Sequence, residues 1–386
     1  MTKVCGSRLS VTGISFNRLY QPLLWLQENM PKEFSLFLAE TRDLGEITVD
    51  QDIYFQCSTG GKLHYDIFTK MKKFNEKAVD KGLCSPMKFI FDYDDSIMDV
   101  GPDNPAYIFS GTEECIVEFG PYMKEPIKIE WIDKQTVKEV NGDNWIFNIE
   151  RNKSLIKYTK QVKSFADALV CTTPYLAEKL KIDNPNVYVI PNAIDLSLYK
   201  NGVSTDDGIV RIGWAFSSSH WEDYFDILPA LTEVINSRDD VELVLLTRDD
   251  TPTNELDMNK VEIYPYTSIL DGYHKLMGKL NLDIGLAHLT DTEFNKCKSP
   301  LKFLEYSAIG AATLAPNILY NDYIEDGETG SIYNSHEEFK VKLNQLIDNK
   351  KLRKKLASNA LTYVDTNYSI EKIAPLYLDM FKKVLG

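Results

Sequence analysis

Short apolar runs alternate with amphipathic stretches along the whole chain. Phe34–Leu38, Asp52–Cys57, Lys88–Phe91, Ala168–Cys171 and Val187–Ile190 carry the β-branched and aromatic residues that suit buried strands. Between them, Asn17–Glu28 and Leu63–Val79 repeat at helical spacing. The run ends at Ile190-Pro191-Asn192-Ala193, where a proline cannot continue a ladder. A polar stretch without periodicity, Lys200 to Gly208, follows and has the composition of a linker or surface loop. The alternation then restarts. Ile209–Gly213, Val241–Leu246, Val261–Tyr264, Leu282–Leu286 and Ala312–Ala315 read as strands. Tyr224–Ile235, Leu270–Lys279, Leu301–Ile309 and Glu337–Ile347 read as helices. Strand and helix in turn predict parallel sheets covered on both faces. The expected organisation is two α/β units, residues 1–192 and 193–369, and a last amphipathic helix within 370–386 that can pack back on the first unit. Ile373, Leu376, Leu378, Met380, Phe381 and Val384 form its apolar positions.

Composition narrows this picture without changing it. Of 386 residues, 44% are apolar and 26% charged, as in an ordinary globular chain. The formal charge of -14 disfavours a broad nucleic-acid surface, which needs clustered cations. A local basic track, Arg151, Lys153, Lys157, Lys160 and Lys163, lies in a helical pattern and reads first as a solvated face. Six cysteines are scattered without a C-x-x-C pair, so no zinc ribbon or redox motif is signalled. Cys5, Cys57 and Cys171 sit in apolar runs and are expected to pack as small hydrophobes. No run approaches a membrane span, and the N-terminus lacks a signal-peptide core. A reducing cytoplasm is the expected location.

Ligands of open α/β sheets bind beyond the carboxyl ends of the strands, so those positions carry the candidate chemistry. After Ile209–Gly213 comes Trp214-Ala215-Phe216-Ser217-Ser218-Ser219-His220. Small hydroxyl residues at a strand-to-helix turn suit an anion, and they equally suit a helix cap. After Leu282–Leu286 come Ala287-His288-Leu289 and then Asn295-Lys296-Cys297-Lys298-Ser299. Lys298 and Ser299 precede the helix from Leu301 and so stand at its positive end. Lys302 and Glu305 share a face of that helix. The pair suits a ligand's hydroxyls, or a plain i,i+3 ion pair.

The stretch LDIGLAHLTDTEFNKCKSPLKFLEYSAIGAATLAP, Leu282 to Pro316, resembles the donor-site signature of GT-B glycosyltransferases related to family 4. Arg211–Leu231 resembles the strand and turn that open the same domain, and Val189–Tyr199 resembles the interdomain junction. The resemblance implies a GT-B fold, two Rossmann-like domains facing a cleft, with a nucleotide-diphosphate sugar as co-substrate and no other cofactor or metal. It implies that Glu305 binds the nucleotide ribose, that Lys298 and Ser299 neutralise the leaving diphosphate, and that Lys302 reaches the phosphates or the sugar. Gly213 and the Ser217, Ser218, Ser219 and His220 turn would line the phosphate path, Arg248 would be a second phosphate contact, and Tyr266 would flank the base. Two positions depart from the pattern. Cys297 stands where many relatives have a second glutamate, and Ala-His-Leu replaces Ala-Pro-Leu, which leaves His288 as either a donor neighbour or a buried structural residue.

The first half offers fewer signals. Gly13 to Tyr20 resembles the loop and helix that face the cleft, with Ser15 and Arg18 on the acceptor side. The strand Lys88–Phe91 runs into Asp92-Tyr93-Asp94-Asp95. That sequence looks like the D-x-D metal site of GT-A enzymes, but the phosphate apparatus already stands in the second half. Asp94 and Asp95 are therefore expected at the cleft as acceptor ligands or base, or else in an acidic loop with Asp95 or Ser96 as a cap. His64, after Gly60-Gly61, is a further cleft candidate. Asp92 to Tyr107 resembles bacteriophage-encoded transferases, so the acceptor is open between a surface glycan or lipid-linked saccharide and a hydroxymethylated base in DNA. The family resemblance favours retention of anomeric configuration. A nucleotide-sugar epimerase of the same fold and a non-catalytic sugar-nucleotide-binding protein are the alternatives.

Overall fold

The computed structural model describes the chain outside residues 9–11, 41–49, 58–59, 114–128, 132–135, 140–146, 200–206, 248–250, 254, 266 and 269–271. Two six-stranded sheets dominate it. The first runs Phe34–Glu40, Thr2–Arg8, Ile53–Cys57, Lys88–Tyr93, Ala168–Cys171, Val187–Val189, with every pairing parallel. The second runs Val261–Pro265, Val241–Thr247, Val210–Ala215, Ile284–Leu286, Ala312–Pro316, Ser331–Tyr333, again all parallel. Helices cover both faces, which is why the central strands read as unbroken apolar runs rather than alternating ones. Ile53–Cys57 and Ala168–Cys171 are buried along their whole length. The expected α/β, doubly wound architecture is the one observed.

Strand order fixes where a ligand can sit. In the second sheet the order reverses between Val210–Ala215 and Ile284–Leu286, and in the first between Thr2–Arg8 and Ile53–Cys57. Helices leave opposite faces of the sheet at such a reversal and open a crevice beyond the carboxyl ends. Two glycines shape the second crevice. Gly213 and Gly285 are register partners. A Cβ on Gly213 would stand 2.2 Å from Leu282 Cδ1, and one on Gly285 would stand 2.2 Å from the Tyr306 ring. The bare backbone of Gly213 admits Leu282, and that of Gly285 admits the Tyr306 ring. Its hydroxyl then donates to Leu286 O at 3.0 Å and accepts from Ala215 N at 3.3 Å, tying together the ends of the two strands. The helix Leu301–Ala308 is thereby seated over the crevice with Lys302 and Glu305 on its near side.

The helix Ile370–Leu385 returns to the first sheet and shares a core with Val4, Leu23, Phe34 and Phe55. One of its expected apolar positions is displaced. Leu376 is 40% exposed, while Tyr377 is buried with its ring edge-on to Phe55. Cys5, Cys57 and Cys171 are buried among apolar neighbours, as expected of small hydrophobes. A three-stranded antiparallel sheet, Ile129–Trp131, Thr136–Glu139 and Phe147–Asn148, was not legible in the sequence pattern. It precedes the helix Ile149–Phe165, which carries the basic track. Lys163 does not belong to a solvated face there. It is buried, 3.6 Å from Asp183 and over the Tyr93 ring.

Candidate active site

A cavity of about 250 Å3 lies between the carboxyl ends of the two sheets. From the second half it is lined by Ser217, His220, Tyr273, Ser299, Lys302 and Glu305, and from the first by Gly13, Asn17, Arg18 and Asp94. A second cavity of about 150 Å3 shares Asp94, His220, Ser299 and Lys302 with it and adds Asp95, His288 and Lys298.

Charge is concentrated around the start of the helix Leu301–Ala308. Glu305 Oε2 accepts from Lys302 Nζ at 2.7 Å and from Tyr273 OH at 3.0 Å. Glu305 is almost wholly buried, and the low dielectric there strengthens both bonds. Burial pulls the Lys302 ammonium down, but the charge and hydrogen bond of Glu305 together with the nearby Tyr306 and Tyr320 outweigh it, so its pKa is raised and the lysine stays protonated. Lys298 Nζ lies 4.4 Å from the centre of the Phe294 ring and 3.4 Å from His220 Nε2. His220 Nδ1 is 2.7 Å from Asp223 Oδ2. A carboxylate partner fixes the proton on Nδ1 and turns the Nε2 lone pair to the lysine. Burial, with the Lys298 and Lys302 charges, holds His220 below its ordinary pKa against the pull of Asp223. The imidazole is therefore neutral near pH 7. Asp223 Oδ1 in turn accepts from Thr290 N, Thr290 Oγ1 and Asn295 Nδ2. That network positions the Lys298 loop.

The opposing wall is built on a buried ion pair. The Arg18 guanidinium donates from Nε to Asp92 Oδ1 at 3.0 Å and from Nη2 to Asp92 Oδ2 at 2.7 Å. Arg18 and Asp92 are 1% and 0% exposed. Arg18 Nη1 also donates to Ile190 O and Asn192 Oδ1, and Asn192 Nδ2 donates to Ser299 Oγ at 2.8 Å. One arginine thus links the first sheet, the junction and the Ser299 turn. Asp92 belongs to this pair and not to a D-x-D cation site. Asp94 and Asp95 do reach the cleft. Burial, then the charges of Asp95 and Asp92, lifts the Asp94 carboxyl well above its usual range, with Arg18 pulling the other way. Burial also raises Asp95, opposed by Lys298. Ser96 caps nothing but donates to Asp99 Oδ2 at 2.6 Å.

Of the other expected positions, His64, Ser15 and Gly213 line neither cavity. His64 Nδ1 lies within hydrogen-bond distance of the Gly60 backbone, and its ring stacks on Phe68. Ser15 forms a capping box with Thr12. Gly213 lies inside its strand, where it serves close packing. Ser217 Oγ and Ser219 Oγ are 2.8 Å apart, and Ser219 O accepts from Asn104 Nδ2 of the first half. The side chain of Ser218, and all of Arg248 and Tyr266, lie outside the described residues. Cys297 is wholly buried in the core of the first sheet and lines neither cavity. His288 is buried and also lines the second cavity. Sequence reasoning missed Asp223, Asn192 and Tyr273. A buried Asp early in an amphipathic helix was the available signal for the first.

A glycosyl transferase-like family profile matches residues 273–379, the segment from Tyr273 through Lys298, Lys302 and Glu305 into the last helix. No curated protein sequence matches the chain. HepE of Anabaena, solved in complex with UDP and glucose, superposes with a TM-score of 0.61 at 10% identity, covering 99% of this chain and 100% of HepE. A glycosyltransferase from Rickettsia africae gives a TM-score of 0.61 at 13% identity, covering 100% of this chain and 98% of that one. TarM gives 0.52 at 15% identity over 85% of this chain, which spans 54% of TarM. At such identities the likeness is one of fold. The chain has the GT-B fold, two Rossmann-like halves facing a central cleft, and its residues 273–379 match a glycosyl transferase-like family.

Proposed function

We propose that the chain is a glycosyltransferase that moves a sugar from a nucleoside-diphosphate sugar to a hydroxyl acceptor with retention of configuration. One observation carries the reading. Lys298, Ser299, Lys302 and Glu305 converge at one crevice of the Rossmann-order sheet and face Asp94 across the cavity. Among the described residues the bonds to Glu305 fall on Oε2, which leaves Oε1 for a ribose hydroxyl. Lys298, held by His220 and Phe294, meets the leaving diphosphate together with the amide end of the helix Leu301–Ala308. A neutral His220 avoids competing with Lys298 for that charge. Asp94 and Asp95 border the sugar side, where carboxylates stabilise a developing oxocarbenium ion or orient the acceptor.

In the proposed reaction the acceptor oxygen bonds to the anomeric carbon on the face the diphosphate leaves. Its proton passes to the departing phosphate oxygen. A UDP-sugar is the first donor to test, because HepE was solved with UDP and glucose. Thermal-shift screening across UDP-, GDP-, CMP- and dTDP-sugars identifies the donor, since a ligand stabilises as RT ln(1 + [L]/Kd). Transfer is then assayed with glycan acceptors and with hydroxymethylated DNA. NMR of the product must show the donor's anomeric configuration. An inverted product rules out retention. Altered sugar without any acceptor would assign an epimerase instead, and unchanged activity in Lys298→Ala and Glu305→Ala would remove the site.

A further inference from the structure

On the far side of His288 from the Lys298 loop, a separate group of side chains converges. Asp226 projects from the helix Trp221–Asn236, His288 follows the strand Ile284–Leu286, and His336 opens the helix His336–Asp348. His288 Nε2 and His336 Nε2 both approach Asp226 Oδ2, at 2.9 and 2.8 Å. The ligand-type atoms of all three lie within 4.8 Å of one another. We propose that Asp226, His288 and His336 form a binding site for a divalent transition cation, with Zn2+ the best-matched ion.

Three observations support it. Two imidazoles and one carboxylate are the donor set of open Zn2+ sites, and they suit a borderline ion better than Mg2+ or Ca2+. Second, the other nitrogen of His288 is occupied. Nδ1 bonds the hydroxyl of Tyr333, a residue buried with its ring stacked on the imidazole. Such a partner fixes the ring and leaves Nε2 for a metal. Third, a cavity of about 340 Å3 adjoins the group and is lined by all three residues. It supplies the entry path and room for a water at a fourth position. Without a cation each Nε2–H donates to Asp226 Oδ2; when the cation binds, the proton of each neutral ring stands on Nδ1 instead, both Nε2 lone pairs meet the metal and Asp226 supplies the anion. The hydrogen bonds that hold the group together give way by a few tenths of an ångström, because ligand atoms around Zn2+ stand about 3.3 Å apart at Zn–N and Zn–O lengths near 2.0 Å. The site joins three elements of the second half and carries His288, whose other side lines the cleft. It is independent of the glycosyl-transfer reading.

The test is Zn2+ titration of the full chain after chelator treatment, by calorimetry near pH 7.5, with Co2+ absorption as a second readout. One equivalent should bind saturably, and Co2+ should give tetrahedral d–d bands without thiolate charge transfer. His336→Ala and Asp226→Asn should each weaken binding by more than about 100-fold, with circular dichroism unchanged. Tyr333→Phe should weaken it by about 10–100-fold, the effect of removing an outer partner. A chain that takes up no Zn2+ saturably, uptake that survives both ligand variants, or a Co2+ spectrum showing thiolate bands from a cysteine such as Cys84 would overturn the assignment.

Discussion

Arg18→Met probes the buried ion pair behind the first-half wall of the cleft most directly. The substitution keeps length and apolar bulk but removes the guanidinium. Asp92, 0% exposed, then stands as a buried carboxylate without its cation. Breaking a buried pair in this way costs about 3–5 kcal/mol. Ile190 O and Asn192 Oδ1 lose their donors as well. Asp92→Leu should cost about as much, because it strands the arginine. The double variant Arg18→Met/Asp92→Leu strands neither charge. Its cost should fall to about 1–3 kcal/mol, the remainder being the charge-assisted bond lost at Ile190 O. Urea unfolding followed by tryptophan fluorescence is the assay, with Trp25 packed in the same core as a local reporter. At an m-value of about 2–3 kcal/mol/M, each single variant lowers the midpoint by more than about 1 M. Strict additivity of the two single losses, or a shift below about 0.3 M for Arg18→Met, would refute the claim that the pair is desolvated and mutually dependent.

Three further outcomes are expected. Glu305→Gln should weaken UDP binding by about 10–100-fold, the worth of a charge-assisted bond of about 1.5–3 kcal/mol, as read by calorimetry. Gly213→Ala should cost about 1–3 kcal/mol in the unfolding midpoint, because its methyl would meet Leu282 at 2.2 Å, yet the folded fraction should bind UDP with unchanged affinity. Burial and the Asp223 charge push Glu222 up to about 7. A carboxyl raised on folding is bound to its proton more in the native state, so its stabilising contribution is full below pH 4.5 and is lost as pH rises through 7; Glu222→Gln should flatten the decline between pH 5 and 7.

The sheets were legible because parallel strands buried on both faces must be written as apolar runs. Their ends were less so, and for one reason. Lys88–Tyr93 and Val241–Thr247 extend past the apolar runs into Asp92 and Thr247, buried polar residues near the carboxyl ends. The apolar pattern that marks a strand fades where its end takes on polar partners, Arg18 for Asp92 and Thr251 for Thr247. Ser331–Tyr333 went unread because three residues on a sheet edge carry too little pattern. Tyr377 displaced Leu376 from the last helix's core because its ring meets Phe55 and the Arg18 guanidinium, partners far away in sequence.

The site divides along the same line. Lys298, Ser299, Lys302 and Glu305 fall within eight residues, so their spacing alone brings them to one end of one helix. What holds them there comes from elsewhere: Asp223 through His220, Arg18 through Asn192, and Tyr273 onto Glu305. A local motif can announce the groups that meet a ligand. The positions that fix their charge and orientation are set by strand order, because the reversal in each sheet decides which distant segments share a crevice. Asp92 illustrates the consequence. In the sequence it opens an acidic run fit for a cation, yet the helical turn Phe16–Tyr20 brings Arg18 against it and makes it the counter-ion of a buried brace. Strand order likewise brings Asp226 and His336, 110 residues apart, together at His288 with no signal in either segment.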